Sequence, residues 1–245
     1  MKPSKSYVYA LLALQAVLVL SIASSNSQNT PTNVSALGII YDASLDSYSD
    51  QTFHVDAVFK GVVQRFGFSD IHQARYYYST ICGENTIASI QSLEIKKSNP
   101  ISVSTRQRKD LVGRFLLDVK DDIRKLSEQP VDQGQTNLYR TLTRLVDQFE
   151  PDATGKHIVI ISNLAEHSSA LQMSPRYTKS PSKIMDDYDV LVKALSNDTP
   201  LPNLDGFTIE LITPGKTDYH LWLSRFWKKF LLDRGAKQGL VRSRF

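Results

Sequence analysis

Three short polar stretches carry the residues that could do chemistry together. Asp42-Ala43-Ser44-Leu45-Asp46-Ser47 follows the apolar run Ala36-Leu37-Gly38-Ile39-Ile40-Tyr41 directly, and Ser162-Asn163 closes a second apolar run, His157-Ile158-Val159-Ile160-Ile161. Thr136 stands in Gln135-Thr136-Asn137-Leu138-Tyr139, just ahead of a third patterned segment. Together these stretches offer carboxylate, hydroxyl and amide oxygens. Hard oxygen donors of this kind suit Mg²⁺, Mn²⁺ or Ca²⁺ better than zinc.

Other chemistries find less support. Asp42 at the end of an apolar run could act as an aspartyl nucleophile, but phosphatase-like use wants a second aspartate two residues on, where Ser44 stands. The chain has no Gly-x-Ser-x-Gly elbow, phosphate-cradling glycine loop or His-Glu-x-x-His helix. Its five histidines (54, 72, 157, 167 and 220) are scattered. A metal-dependent hydrolase or phosphotransfer enzyme built on Asp42 would have only Asp46, Glu166 or His167 nearby as general acid or base. The one cysteine, Cys82, allows no internal disulfide and reads as a small buried residue.

The elements that must position these residues are legible from periodicity. Residues 36–41 and 157–162 are apolar runs that each stop at a polar residue, as expected of strands buried on both faces, and 207–212, closed by Pro214-Gly215, reads as a third buried strand. Val55, Val58, Phe59, Val62, Val63 and Phe66 predict a helix over 53–66. Leu111, Phe115, Val119 and Ile123 predict another over about 106–127, and Leu138, Leu142, Leu145 and Phe149 a third. Segments 71–80 and 86–96, rich in Tyr, Ile, Thr and Ser, read as a hairpin around Gly83. A helix is expected at 183–196, after an irregular loop over 165–182. Tyr219, Trp222, Leu223, Phe226, Trp227 and Phe230 predict a closing helix capped at Gly235, with the aromatic stripe in the core. Strands alternating with amphipathic helices imply an α/β fold, a doubly wound and mostly parallel sheet with helices on both faces. Ligands bind such sheets beyond the carboxyl ends of the strands, where all three polar stretches fall.

With that order in place the chain resembles a von Willebrand factor A-type (vWA) domain over about residues 34–236. The family's metal-ion-dependent adhesion site uses an Asp-x-Ser-x-Ser loop after the first strand, a later threonine, and an aspartate after the fourth strand. Asp42 and Ser44 match the first two positions, and Thr136 matches the threonine. The closing Trp-rich helix resembles that of exported bacterial members. The resemblance implies a Rossmann-like vWA fold and a protein-binding module rather than an enzyme. It also implies a metal site formed by Asp42, Ser44, Asp46, Thr136 and Asn163, taking Mg²⁺, Mn²⁺ or Ca²⁺. Two positions depart from the family: Asp46 stands where the family has serine, and Asn163 where it has aspartate. One carboxylate is thereby relocated to the first loop, where it would repel an acidic partner at short range. The site either binds a cation in this altered form or has degenerated.

Lys2 and Lys5 precede an apolar run from Tyr7 to Ala23, followed by small polar residues. This pattern reads as a secretory signal peptide over 1–25, cleaved after Ser25, with an uncleaved membrane anchor as the alternative. Either places the rest outside the cytoplasm, periplasmic or extracellular. Residues 26–34 form a polar leader, 35–236 the domain, and 237–245 a frayed basic tail. The net charge of +4 is concentrated at the C-terminal end, where Arg225, Lys228, Lys229, Arg234, Lys237, Arg242 and Arg244 face only Asp218 and Asp233. A single basic tail is no argument for nucleic acid. The expected partner is a protein, met by loops 42–50, 133–137 and 163–182, with Arg176, Tyr177 and Lys179 as specificity residues. Membrane contact would come only through the N-terminal segment or the basic tail. A structural subunit of an envelope complex remains a further alternative.

Overall fold

Among the described residues, six strands make one mixed sheet in the order β3-β2-β1-β4-β5-β6. The computed structural model describes residues 34–42, 55–66, 73–81, 90–96, 103–127, 136–173, 176–197, 199–200, 202–213 and 217–242. The strands are β1 (Val34–Tyr41), β2 (Gln73–Thr80), β3 (Gln91–Ile95), β4 (Gly155–Ile161), β5 (Phe207–Ile212) and β6 (Gln238–Arg242). The helices are α1 (Val55–Phe66), α2 (Thr105–Ser127), α3 (Leu138–Gln148), α4 (Lys183–Asp186), α5 (Tyr188–Ser196) and α6 (Asp218–Asp233). Only β2 and β3 run antiparallel; every other pair is parallel.

Successive side chains of a strand point to opposite faces, so the strands feed two apolar clusters. Ala36, Ile40, Ile158, Ile160, Ile209 and Leu211 join Leu142 and Leu145 of α3 and Phe226, Trp227 and Phe230 of α6. The alternate residues Leu37, Ile39, Tyr41, Val159, Ile161 and Ile212 join Val58 of α1 and Phe115, Val119 and Ile123 of α2. The long apolar runs of β1 and β4 follow from burial on both faces. Gly38 on β1 makes room for α3: a Cβ there would sit 2.8 Å from Leu145 Cδ2 and 3.2 Å from Phe149 Cζ.

Local sequence sets the helix ends. Ser104 and Gln107 form a reciprocal capping box at the start of α2, each side chain accepting the other's backbone N–H, at 3.3 and 3.0 Å. At the end of α6, Gly235 takes φ +96°; Ala236 N–H reaches Leu231 O and Gly235 N–H reaches Leu232 O, both at 3.0 Å. That is a Schellman ending, and glycine bears its left-handed residue without strain.

Three expectations need correction. The 183–196 helix is two pieces broken at Asp187, whose carboxylate accepts from Tyr177 Oη at 2.7 Å and Arg176 at 3.1 Å. The 237–245 tail is not frayed throughout: residues 238–242 form β6, parallel to β5 with Ile209 opposite Gly239. A five-residue strand has little periodicity of its own; what forms it is the open edge of β5. At the other boundary Val34, assigned to the polar leader, is the first residue of β1 and is fully buried. The signal peptide and the rest of that leader, the 43–50 loop and Cys82 lie outside the described residues. Among those described, no helix is long and apolar enough to cross a membrane.

Candidate functional site

The carboxyl ends of β1 and β4 place the first two candidates side by side. Tyr41 is in register with Ile161, so the next residues, Asp42 and Ser162, are neighbours. The ladder continues through them, with Asp42 N–H donating to Ile161 O at 2.9 Å and Ser162 N–H to Ile212 O at 3.1 Å. Both side chains are buried, and the Ser162 hydroxyl donates to Asp42 Oδ2 at 2.7 Å. Ser162 Oγ also accepts the Leu164 N–H at 2.9 Å, which starts the chain's turn away from the sheet.

That turn is tightly determined. Asn163 Oδ1 accepts the Ala165 N–H at 2.8 Å, the hydrogen bond of an Asx turn. Leu164 has φ 65°, and among the described residues it is the one non-glycine in the left-handed region. A leucine held there is strained and persists only when its surroundings over-determine it. The constraint comes from its complete burial and from Trp227 on α6, whose indole N–H donates to Leu164 O at 2.8 Å.

The turn delivers Glu166 to the start of α3. Asn137 caps that helix by accepting the Arg140 N–H at 3.2 Å. Glu166 Oε2 accepts the Tyr139 N–H at 3.0 Å. His167 N–H donates to Thr136 O at 2.8 Å, which ties the threonine loop to the loop after β4. Glu166 is completely buried, and its Oε1 has no hydrogen-bond partner. Burial pushes its carboxyl up to about 7. The Tyr139 and Leu138 N–H groups and the nearby Ser168 hydroxyl pull the other way, and the charge of Asp42 adds to the rise.

Of the five residues expected to bind metal, Asp42, Thr136 and Asn163 therefore lie at one edge, while Ser44 and Asp46 fall outside the described residues. Thr136 is buried at the loop that His167 engages. Asn163 is only half-buried, and its oxygen is committed to the turn. Among the described residues no group of three or more His, Cys, Asp and Glu is arranged to hold a metal ion. A completely buried carboxylate oxygen without a hydrogen-bond partner, Glu166 Oε1, is the unmet acceptor of this edge.

Sequence reasoning considered Glu166 only as an acid or base and missed its burial. Spacing offers no clue to it, since the 163–173 loop has no periodicity. Tyr177, expected to face a partner, is instead in the core at 1% exposure. Arg176 is exposed as expected and pairs with Asp187 at 3.1 Å. His167 is half-buried.

No family model matches the chain, and no curated protein matches it. Among solved structures it is similar to proximal thread matrix protein 1 from the mussel byssus, at 14% identity and a TM-score of 0.41. That match covers 86% of this chain and 42% of the mussel protein, so the chain spans well under half of that protein's length. A likeness at this level carries no argument about fold or function.

Proposed function

We propose that the chain is an exported vWA-like module that binds a protein partner with the loops at the carboxyl ends of its strands. The fold in this reading is the doubly wound arrangement of that family. A divalent cation, Mg²⁺, Mn²⁺ or Ca²⁺, takes part in the contact. The observation that carries the reading is the meeting of Asp42, Ser162 and the Thr136 loop at one sheet edge, held by the Ser162–Asp42 and His167–Thr136 hydrogen bonds. The pairing of β1 with β4 supplies a rigid base for that edge, and loops on such a base commonly carry recognition.

When bound, the cation would complete the coordination of a partner's oxygen. Asp42 is the strand-end carboxylate that would hold it, and Ser162 orients Asp42. The module is exported in this reading because of the charged and apolar pattern of residues 1–25. The test is capture of a partner from the exported fraction of the native host, with and without chelator, by wild type and by Asp42→Ala. One protein retained by wild type in Mg²⁺, and lost with either chelator or Asp42→Ala, is the expected result. Equal capture by Asp42→Ala would mean that the strand-end edge is not the binding surface.

The hydrolase reading draws on Glu166, whose carboxyl near neutrality suits a general acid or base. Its complete burial weighs against it, because a catalytic acid must reach the proton it transfers. Turnover of generic phosphate or ester substrates, abolished by Asp42→Asn, would reverse that preference.

A further inference from the structure

We propose that the outward face of α6 docks on an anionic lipid membrane, with Arg225 and Lys228 meeting the headgroups and Leu221, Leu232 and Trp222 the apolar layer beneath. The contact lies on the helix itself, apart from residues 1–25 and the tail. It is independent of the strand-end reading, because α6 packs on a face of the sheet and not on its carboxyl edge.

The helix has two distinct sides. Phe226, Trp227 and Phe230 fill the core and are fully buried. Leu221, Arg225, Lys228 and Leu232 follow one another at helical spacing on the other side, and all four are exposed. Leu221 keeps 49% and Leu232 44% of its surface in water. Trp222 beside them is half-buried, with the Arg225 guanidinium 4.4 Å from its ring centroid. That cation–π contact holds the arginine over an apolar ring instead of a carboxylate. Lys229 already donates to Asp233 at 2.6 Å, whereas among the described residues neither Arg225 nor Lys228 pairs with an acid. Cations without counter-ions therefore sit between exposed leucines. The acids of the helix, Asp218 and Asp233, stand at its ends, outside the stretch from Leu221 to Leu232.

Charge and apolar content together select the occupant. The positive charge of the chain is concentrated in this helix and the residues after it, so the face complements an anionic surface. A polyanionic sugar would answer the cations and leave the leucines in water. A bilayer answers both: anionic headgroups attract basic side chains, and the acyl boundary just below takes leucine and tryptophan. The exposed leucines of α2 make the contrast. Leu111 and Leu117 are 41% and 64% exposed, but there Asp110 and Asp118 offset Lys109 and Arg114, and no excess of charge draws that helix to a membrane.

The experiment is quenching of tryptophan fluorescence in the full chain by vesicles brominated on their acyl chains, made of phosphatidylglycerol or of phosphatidylcholine. The chain has 2 tryptophans, and Trp227 is fully buried, so the signal reports whether Trp222 reaches lipid. Residues 1–25 contain no tryptophan, so insertion of that segment alone is silent. Wild type should be quenched by phosphatidylglycerol and not by phosphatidylcholine, and Trp222→Phe by neither. Each basic residue near an anionic surface is worth about fivefold in affinity. Combining Arg225→Gln with Lys228→Gln should therefore raise the phosphatidylglycerol needed for half-maximal quenching about twentyfold. The inference is overturned by wild type unquenched by phosphatidylglycerol, by equal quenching with both lipids, or by a double variant that titrates as wild type does. A Trp222 emission shift with polyglutamate, without quenching by vesicles, would overturn it in favour of an acidic protein on this face.

Discussion

Glu166 and Asp233 are two carboxylates at opposite kinds of helix end, and each titrates against the direction its helix favours. Glu166 sits at the N-terminus of α3, where the helix dipole stabilises negative charge, yet its carboxyl is pushed up to about 7. Asp233 closes α6, at the end that disfavours negative charge, yet its carboxyl is lowered. The causes differ. Asp233 accepts from Lys229 at 2.6 Å and from Tyr188 Oη at 2.7 Å, and it remains partly in water. Glu166 is completely buried, and its Tyr139, Ser168 and Leu138 donors do not offset that burial. Desolvation outweighs the dipole, and a paired cation outweighs it in the other sense. An acid equipped as Asp233 is serves the fold. One left as Glu166 is serves the fold badly, which marks its region as the place to look for a ligand.

The largest expected effect tests the Glu166 half of this contrast. Its carboxyl rises from an ordinary 4.5 to about 7 on folding, so the folded state favours the protonated form. That stability is fully present below about pH 4.5 and is lost as the pH rises through 7, a change of roughly 3 kcal/mol at most. Glu166→Gln removes the titration. In metal-free buffer the variant should match wild type near pH 4.5 and exceed its denaturant stability at pH 8. A variant less stable than wild type at pH 8 would show that the charged carboxylate is already well satisfied without a ligand.

A smaller effect tests the framework that holds Glu166 in place. Trp227→Phe keeps an aromatic ring in the core but removes the indole N–H from Leu164 O. The buried carbonyl is left unpaired beside a strained residue, at a cost of about 1–3 kcal/mol. Hydrogen exchange should show faster opening at Leu164–His167 while β1 and β4 stay protected. Unchanged exchange there would mean that packing alone holds the turn.

The smallest effect belongs to the satisfied acid. Asp233→Asn removes an ion pair whose side chains are both more than a third exposed, worth about 0–1 kcal/mol. Its lowered carboxyl makes this small stabilisation disappear as the pH falls through the acid range, the reverse of the Glu166 behaviour. Thermal melts of Asp233→Asn and wild type should converge at low pH. A large loss at neutral pH would mean that Asp233 does more for the α6 end than pair with Lys229.

How much of this was legible beforehand depends on the range of the interaction that decides each feature. The strands β1, β4 and β5 and the helices α2, α3 and α6 could be placed from apolar periodicity, because burial repeats with the geometry of the backbone. The Gly235 ending needed only a residue free to take positive φ. Asp42 could be picked out because it breaks an apolar run at the end where parallel sheets present their ligands. The break at Asp187, the strand at 238–242 and the burial of Tyr177 were not readable, since each depends on what a distant segment leaves open or fills. Glu166 is the sharpest case. By itself it is an acidic residue in an aperiodic loop, like any solvated one. Only the tertiary structure makes it a buried charge with an unmet oxygen. That required the β1–β4 register, the Leu164 turn held by Trp227, and the start of α3 to come together, and the environment that sets a carboxylate's free energy is made by such nonlocal contacts.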